Sequence, residues 1–65
     1  MTKSYRQGQI LELIHRRRIH TQDELAQELK QMGIPATQVT LSRDIRELGL
    51  AKTPEGYRQI ATAPA

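Results

Sequence analysis

The chain has 65 residues, enough for one small domain but too few to enclose a sizeable substrate cavity. Ten Lys and Arg residues against seven Asp and Glu give a formal net charge of +3, which favours polyanionic partners. Because cysteine is absent and no apolar run exceeds two residues, we expect no disulfide, thiolate metal site, signal peptide or membrane span, and predict a cytoplasmic protein.

The first predicted element is a helix from Ser4 to Arg17. Ser4 is a suitable N-cap, and the basic residues near the other end complement the helix dipole. Since Tyr5 and Tyr57 are the only aromatic residues, we expect an aliphatic core. The first helix contributes apolar residues at helical spacing: Ile10, Leu11, Leu13 and Ile14.

A very short extended segment at 18–20 is followed by a second predicted helix over 22–32. Thr21 and Glu24 form a capping box, in which each side chain accepts from the backbone N–H of the other residue. Gly33 suits a left-handed C-terminal cap. The apolar stripe expected on this helix is Leu25, Leu29 and Met32.

A tight turn at 34–36 leads to a third predicted helix, Gln38 to Leu48. Pro35 cannot continue the preceding helix, Thr37 supplies a new N-cap, and Gly49 ends the third helix. The side of this helix expected to face the core carries Leu41, Ile45 and Leu48.

The pattern then changes to two short strands, 50–53 and 57–60, around a Pro/Gly turn. Three helices followed by a hairpin predict a mainly α, winged helix-turn-helix domain over residues 1–60. The uncharged segment 61–65 is typical of the start of an interdomain linker.

The outer face of the third helix carries residue types that suit base edges in a major groove. Arg43 can donate two hydrogen bonds to guanine, Gln38 can pair with adenine, and Val39 suits a thymine methyl group. A solvated polar face is the plainer interpretation of each residue alone, but the helix-turn-helix order favours DNA reading. The predicted base-reading residues are Gln38, Val39, Thr40, Ser42, Arg43 and Arg46.

A second group of residues lies where DNA phosphates are expected, at the starts of the three helices and on the wing. Each is also typical of an ordinary solvated surface, and Arg58 could instead enter the minor groove. The predicted backbone contacts are Lys3, Tyr5, Arg6, Thr21, Gln22, Thr37, Lys52 and Arg58.

The sequence closely resembles the N-terminal DNA-binding domain of bacterial arginine repressors over nearly its whole length. The stretches 21–25, 29–33 and 37–50 carry the resemblance, and 40–45, Thr-Leu-Ser-Arg-Asp-Ile, is its most specific part. The resemblance implies operators of arginine metabolic genes, repression of biosynthesis or activation of catabolism, and base reading by Ser42 and Arg43. It further implies a C-terminal domain, outside these residues, that binds L-arginine as corepressor and assembles hexamers.

Two other classes of function remain to be weighed. An enzyme would need His15 and His20 to form a metal or acid/base site, but their spacing matches no such motif, so we expect no catalysis and no metal. A winged-helix module that contacts protein or RNA is the alternative to DNA reading.

Overall fold

The computed structural model describes residues 3–60 as three helices followed by a two-stranded antiparallel hairpin. This order confirms the mainly α, winged helix-turn-helix prediction. The predicted linker, 61–65, lies outside the described residues. The elements are α1 (Lys3–Arg16), α2 (Gln22–Gln31), α3 (Gln38–Leu48), β1 (Leu50–Thr53) and β2 (Gly56–Gln59).

Cap residues determine where α2 and α3 begin and end. The Thr37 hydroxyl accepts from the backbone N–H of Thr40 at 3.2 Å, and Gly49 closes α3 at φ 69°, so both predicted bounds of α3 are confirmed. Thr21 caps α2 in the same way, accepting from the Glu24 N–H at 3.1 Å. The return bond differs from the prediction, because the Glu24 carboxylate accepts from the backbone N–H of His20 instead of Thr21.

Three helix ends differ from the predictions. Helix α1 begins at Lys3, so Ser4 is a helical residue and not its N-cap, and α1 ends at Arg16, one residue before the predicted Arg17. Helix α2 ends at Gln31, and Met32, predicted to join the apolar stripe, is 43% exposed. The chain turns at Met32, and Ile34 is buried in its place, donating its backbone N–H to the Leu29 carbonyl at 2.8 Å.

The core lies where the three helices meet the hairpin. It is aliphatic except for Tyr57, so the expectation of a wholly aliphatic core is wrong at that position. Tyr57 is 8% exposed, and burial raises the pKa of its hydroxyl. The buried members are Ile10, Leu13, Ile14, Ile19, Leu25, Leu29, Ile34, Leu41, Leu50 and Tyr57.

The hairpin is attached to the helices through the segment between α1 and α2. This segment, 18–20, forms no strand, but the Ile19 carbonyl accepts from the Tyr57 N–H at 2.8 Å. Strand β2 begins at Gly56, one residue earlier than predicted, where φ is 105° and the backbone passes against Ile19. Among residues 3–60, no helix is long and apolar enough to cross a membrane.

Candidate nucleic-acid interface

The outer face of α3 presents polar and basic groups together with one exposed valine. Val39 is 68% exposed, and Gln38, Arg43 and Arg46 are also exposed. Within the part of the chain that the structure describes, neither Arg43 nor Arg46 forms an ion pair. Their guanidinium donors are therefore available to an external partner.

The hydroxyl groups predicted to read bases are engaged at the edges of this face. Gln22, the first residue of α2, donates from Nε2 to Ser42 Oγ at 2.8 Å, and Ser42 is half-buried. Thr40, also half-buried, accepts the hydroxyl proton of Thr37 at 2.9 Å. The first contact joins the start of α2 to the outer face of α3. The second joins the N-cap of α3 to its first turn.

Lys3 and Arg6, two of the three α1 residues predicted to contact phosphates, face carboxylates of α3. Lys3 Nζ lies 2.6 Å from Glu47 Oε1 in an exposed pair. Arg6 donates from Nε to Asp44 Oδ2 and from Nη2 to Asp44 Oδ1, the latter at 3.0 Å. Tyr5 is half exposed. The structure thus brings Lys3 and Arg6 against α3, where both already have anionic partners.

Asp44 is the buried charge of this site, with 1% of its surface exposed. Gln7 Nε2 adds a third hydrogen bond at 3.0 Å and also donates to Glu47 Oε1 at 3.1 Å. Burial opposes ionisation of Asp44, but the hydrogen bonds from Arg6 and Gln7 outweigh it, so its pKa lies below the usual value. The same pairing raises the pKa of Arg6.

Sequence reasoning did not identify Asp44 or Gln7. One signal was present, since the helical period places Asp44 on the inward half of α3, where a carboxylate requires a partner. The partner itself leaves no local signal, because Arg6 precedes Asp44 by 38 positions.

A cleft of about 230 Å³ between α1 and α3 is lined by Lys3, Arg6, Thr40, Arg43, Asp44 and Glu47.

The two predicted cations of the wing do not share a face of the hairpin. Lys52 pairs in register with Tyr57, whereas Arg58 pairs with Ala51. Because successive strand residues alternate between faces, Lys52 and Arg58 project from opposite sides. Arg58 forms an exposed ion pair with Glu55 at 3.0 Å, and Lys52 has no ion-pair partner among residues 3–60.

Both histidines are exposed. His20 lies at the wing, with Nε2 3.4 Å from the Pro54 carbonyl oxygen, and His15 lies near the end of α1. Over the described range 3–60, no three His, Cys, Asp or Glu side chains converge as metal ligands.

Comparisons with known proteins agree on one family. The model of the "Arginine repressor, DNA binding domain" family matches residues 1–61. An "Arginine repressor" of Solibacter usitatus is 75% identical over 94% of this chain and 42% of its own length, and one of Symbiobacterium thermophilum is 57% identical over 83% and 36%. An "Arginine regulator" of Lactiplantibacillus plantarum is 52% identical over 97% and 41%. The chain thus spans about two fifths of these relatives, and no solved structure gives a significant match.

Proposed function

The chain belongs to the arginine repressor family through its DNA-binding domain, and from this premise we propose that α3 enters the major groove and reads base edges there. The observation that carries the proposal is the exposed face of α3, on which Arg43 and Arg46 have no ion-pair partner within residues 3–60. Membership of the arginine repressor family supports a regulatory role for this domain over a catalytic one.

Each exposed group on this face suits a different chemical feature of a base pair. Arg43 would donate two hydrogen bonds to guanine O6 and N7, and Gln38 would pair with adenine N6 and N7. Val39 would contact a thymine methyl group, which accounts for a large apolar side chain left 68% exposed. Arg46 would add a second guanidinium donor on this face, and Ser42 and Thr40 would add hydroxyl groups at its edges.

Phosphate contacts would flank the groove on both sides of α3. Thr21, Gln22 and Thr37 lie at helix starts, where backbone N–H groups and the helix dipole favour an anion. Lys52 has no internal ion pair within the described chain and suits a phosphate, and Arg58 on the opposite face of the wing suits phosphate or the minor groove. Lys3 and Tyr5 would approach the backbone beside α1, and Lys3 would first have to leave Glu47. The sequence predicts the same contact for Arg6, but its guanidinium is directed at the buried Asp44.

The intact protein, as distinct from this domain, would be an arginine-responsive cytoplasmic regulator of operators in arginine metabolism. The names of its relatives support this role, and the chain covers only about two fifths of their length. L-Arginine would then act as corepressor on a C-terminal domain that also assembles the hexamer, with residues 61–65 leading into it.

Selection from a random duplex pool tests the proposal directly. The wild-type chain should enrich a consensus sequence, which is then competed against a scrambled duplex of the same composition at fixed salt. A preference for the consensus is expected because base-edge contacts distinguish sequences and phosphate contacts do not. If no consensus emerged, or if single-stranded RNA competed equally well, a protein- or RNA-binding module would replace DNA reading.

A further inference from the structure

Two polar contacts hold α3 on either side of Arg43. The residue before it, Ser42, accepts a hydrogen bond from Gln22 of α2 at 2.8 Å. The residue after it, Asp44, accepts from both Arg6 and Gln7 of α1. The side chain of Arg43 is exposed and forms no hydrogen bond or ion pair among residues 3–60.

The two contacts lie on opposite sides of α3. Successive residues of an α-helix are rotated by about 100°, so Ser42 and Asp44 point to the two sides of the direction in which Arg43 points. A rotation of α3 about its own axis in either sense would stretch one contact and compress the other. The pair therefore restrains the angle at which Arg43 leaves the domain surface.

The backbone of α3 lies less close to α1 than to its other neighbours. Helix α3 packs closely against α2 and β1, but α1 and α3 make few close backbone contacts. Long polar side chains span the gap instead, and their carboxylate partner is 1% exposed. A two-pronged guanidinium–carboxylate pair fixes direction as well as distance, which a single apolar contact does not.

We propose that Gln22 and Arg6 are positioning residues that set the rotation of α3 and so aim Arg43 at its base. This inference rests on the proposed function. It gives both residues a role different from the phosphate contact expected from the sequence, because the donors of Arg6 are directed at Asp44 and the amide of Gln22 is directed at Ser42.

The salt dependence of binding separates positioning from phosphate contact. Each phosphate that a cation neutralises contributes about 0.9 to the slope of log affinity against log salt concentration. A positioning residue contributes nothing to that slope, but its loss weakens binding to the consensus more than binding to a scrambled duplex. The informative quantity is therefore the ratio of the two affinities, measured together with the slope.

The experiment compares Arg6→Gln and Gln22→Ala with the wild-type 65-residue chain on the selected consensus duplex and its scrambled control. We expect each variant to lower the affinity ratio about tenfold, as loss of one base contact would, with the salt slope unchanged. Gln27→Ala is the matched control, because Gln27 is an exposed α2 glutamine whose side chain forms no hydrogen bond among residues 3–60, and its affinity ratio should not change.

Asp44→Asn is a third variant that tests the contact with Arg6. It removes the carboxylate charge and keeps the shape of the side chain, so the affinity ratio should fall. The scrambled duplex should bind this variant at least as tightly as it binds the wild-type chain. Circular dichroism melting defines the temperature below which each variant is folded, and binding is measured there.

The possible outcomes are distinct. An unchanged affinity ratio in either Arg6→Gln or Gln22→Ala overturns the positioning role, and so does a slope reduced by about 0.9 with both duplexes weakened equally in Arg6→Gln. Lack of any preference in the wild-type chain would instead overturn the proposed function.

Discussion

Arg43 is the residue on which sequence discrimination should depend most. It is exposed in the middle of the outer face of α3, and its planar guanidinium can donate two hydrogen bonds to one guanine. Arg43→Ala should cost about 1–3 kcal/mol of binding free energy on the consensus duplex and relax the preference at one base position. Fluorescence anisotropy with single-base variants of the duplex measures both effects.

Lys52→Ala is the control for that substitution, since it removes a cation from the wing. It should weaken all duplexes similarly and lower the salt slope by about 1. An Arg43→Ala variant that behaved in the same way would place Arg43 on the backbone and the reading surface elsewhere.

Asp44 should make stability depend on pH in acid. Its folded pKa is lowered from the ordinary value of 3.8, because hydrogen bonds from Arg6 and Gln7 outweigh the effect of burial. The ionised carboxylate therefore stabilises the fold above that value, and the stabilisation is lost as the pH falls through 3.8 towards the folded pKa. Urea denaturation of the wild type and Asp44→Asn, from neutral pH into this range, measures the effect. Their stability difference should narrow in acid, and a constant difference would contradict the prediction.

For a single residue, the helical period predicts whether the side chain is exposed but not which partner it binds. A rotation of about 100° per residue is enough to place Val39, Arg43 and Arg46 outward and Leu41 inward, as observed. The partners of Arg6 and Gln22 depend on how the three helices are arranged in space. Their contacts with α3 therefore lay beyond prediction from local pattern.

The hairpin depends on one glycine at the point where it meets the helices. At Gly56, φ is 105°, and an added Cβ would lie 2.9 Å from the Ile19 carbonyl oxygen. Gly56→Ala should therefore destabilise the domain by about 1–3 kcal/mol, through backbone strain and displacement of the Ile19 carbonyl from the Tyr57 N–H. Thermal denaturation followed by circular dichroism checks this value.

Gly8→Ala provides a matched control with the opposite sign. Gly8 lies inside α1, and an added Cβ there meets nothing within 4 Å. Alanine should stabilise that helix by up to about 1 kcal/mol. Equal melting temperatures for the two variants would show that the Gly56 backbone can relax without cost.

The ends of a helix can be predicted where a capping residue marks them in the sequence. Thr37 and Gly49 mark the two ends of α3, and both bounds were predicted correctly. The bounds of β2 were displaced by one residue because the strand begins where Gly56 docks on Ile19, which is a tertiary contact. Tyr57 was likewise not predicted to be buried, since no short-range signal distinguishes an exposed wing tyrosine from one that completes the core.

The folded domain is smaller than one turn of B-DNA. Its principal extents are 28 × 27 × 20 Å, and α3, with 11 residues, is about 16 Å long. Successive major grooves on one side of a duplex are about 34 Å apart. One copy can therefore place α3 in one segment of the major groove only, and its affinity is limited to the contacts that it makes around that segment.

Two linked copies should bind far more tightly than one. A tandem chain with a Gly/Ser linker long enough to span adjacent grooves makes the second binding event intramolecular. On a duplex with two consensus half-sites one helical turn apart, its affinity should exceed that of the single chain by about 10²- to 10⁴-fold. Titration on a duplex with one half-site scrambled is the control, and most of the gain should disappear there. A gain that persisted would come from added charge, because cations strengthen binding to any sequence, whereas recognition by α3 requires the second half-site.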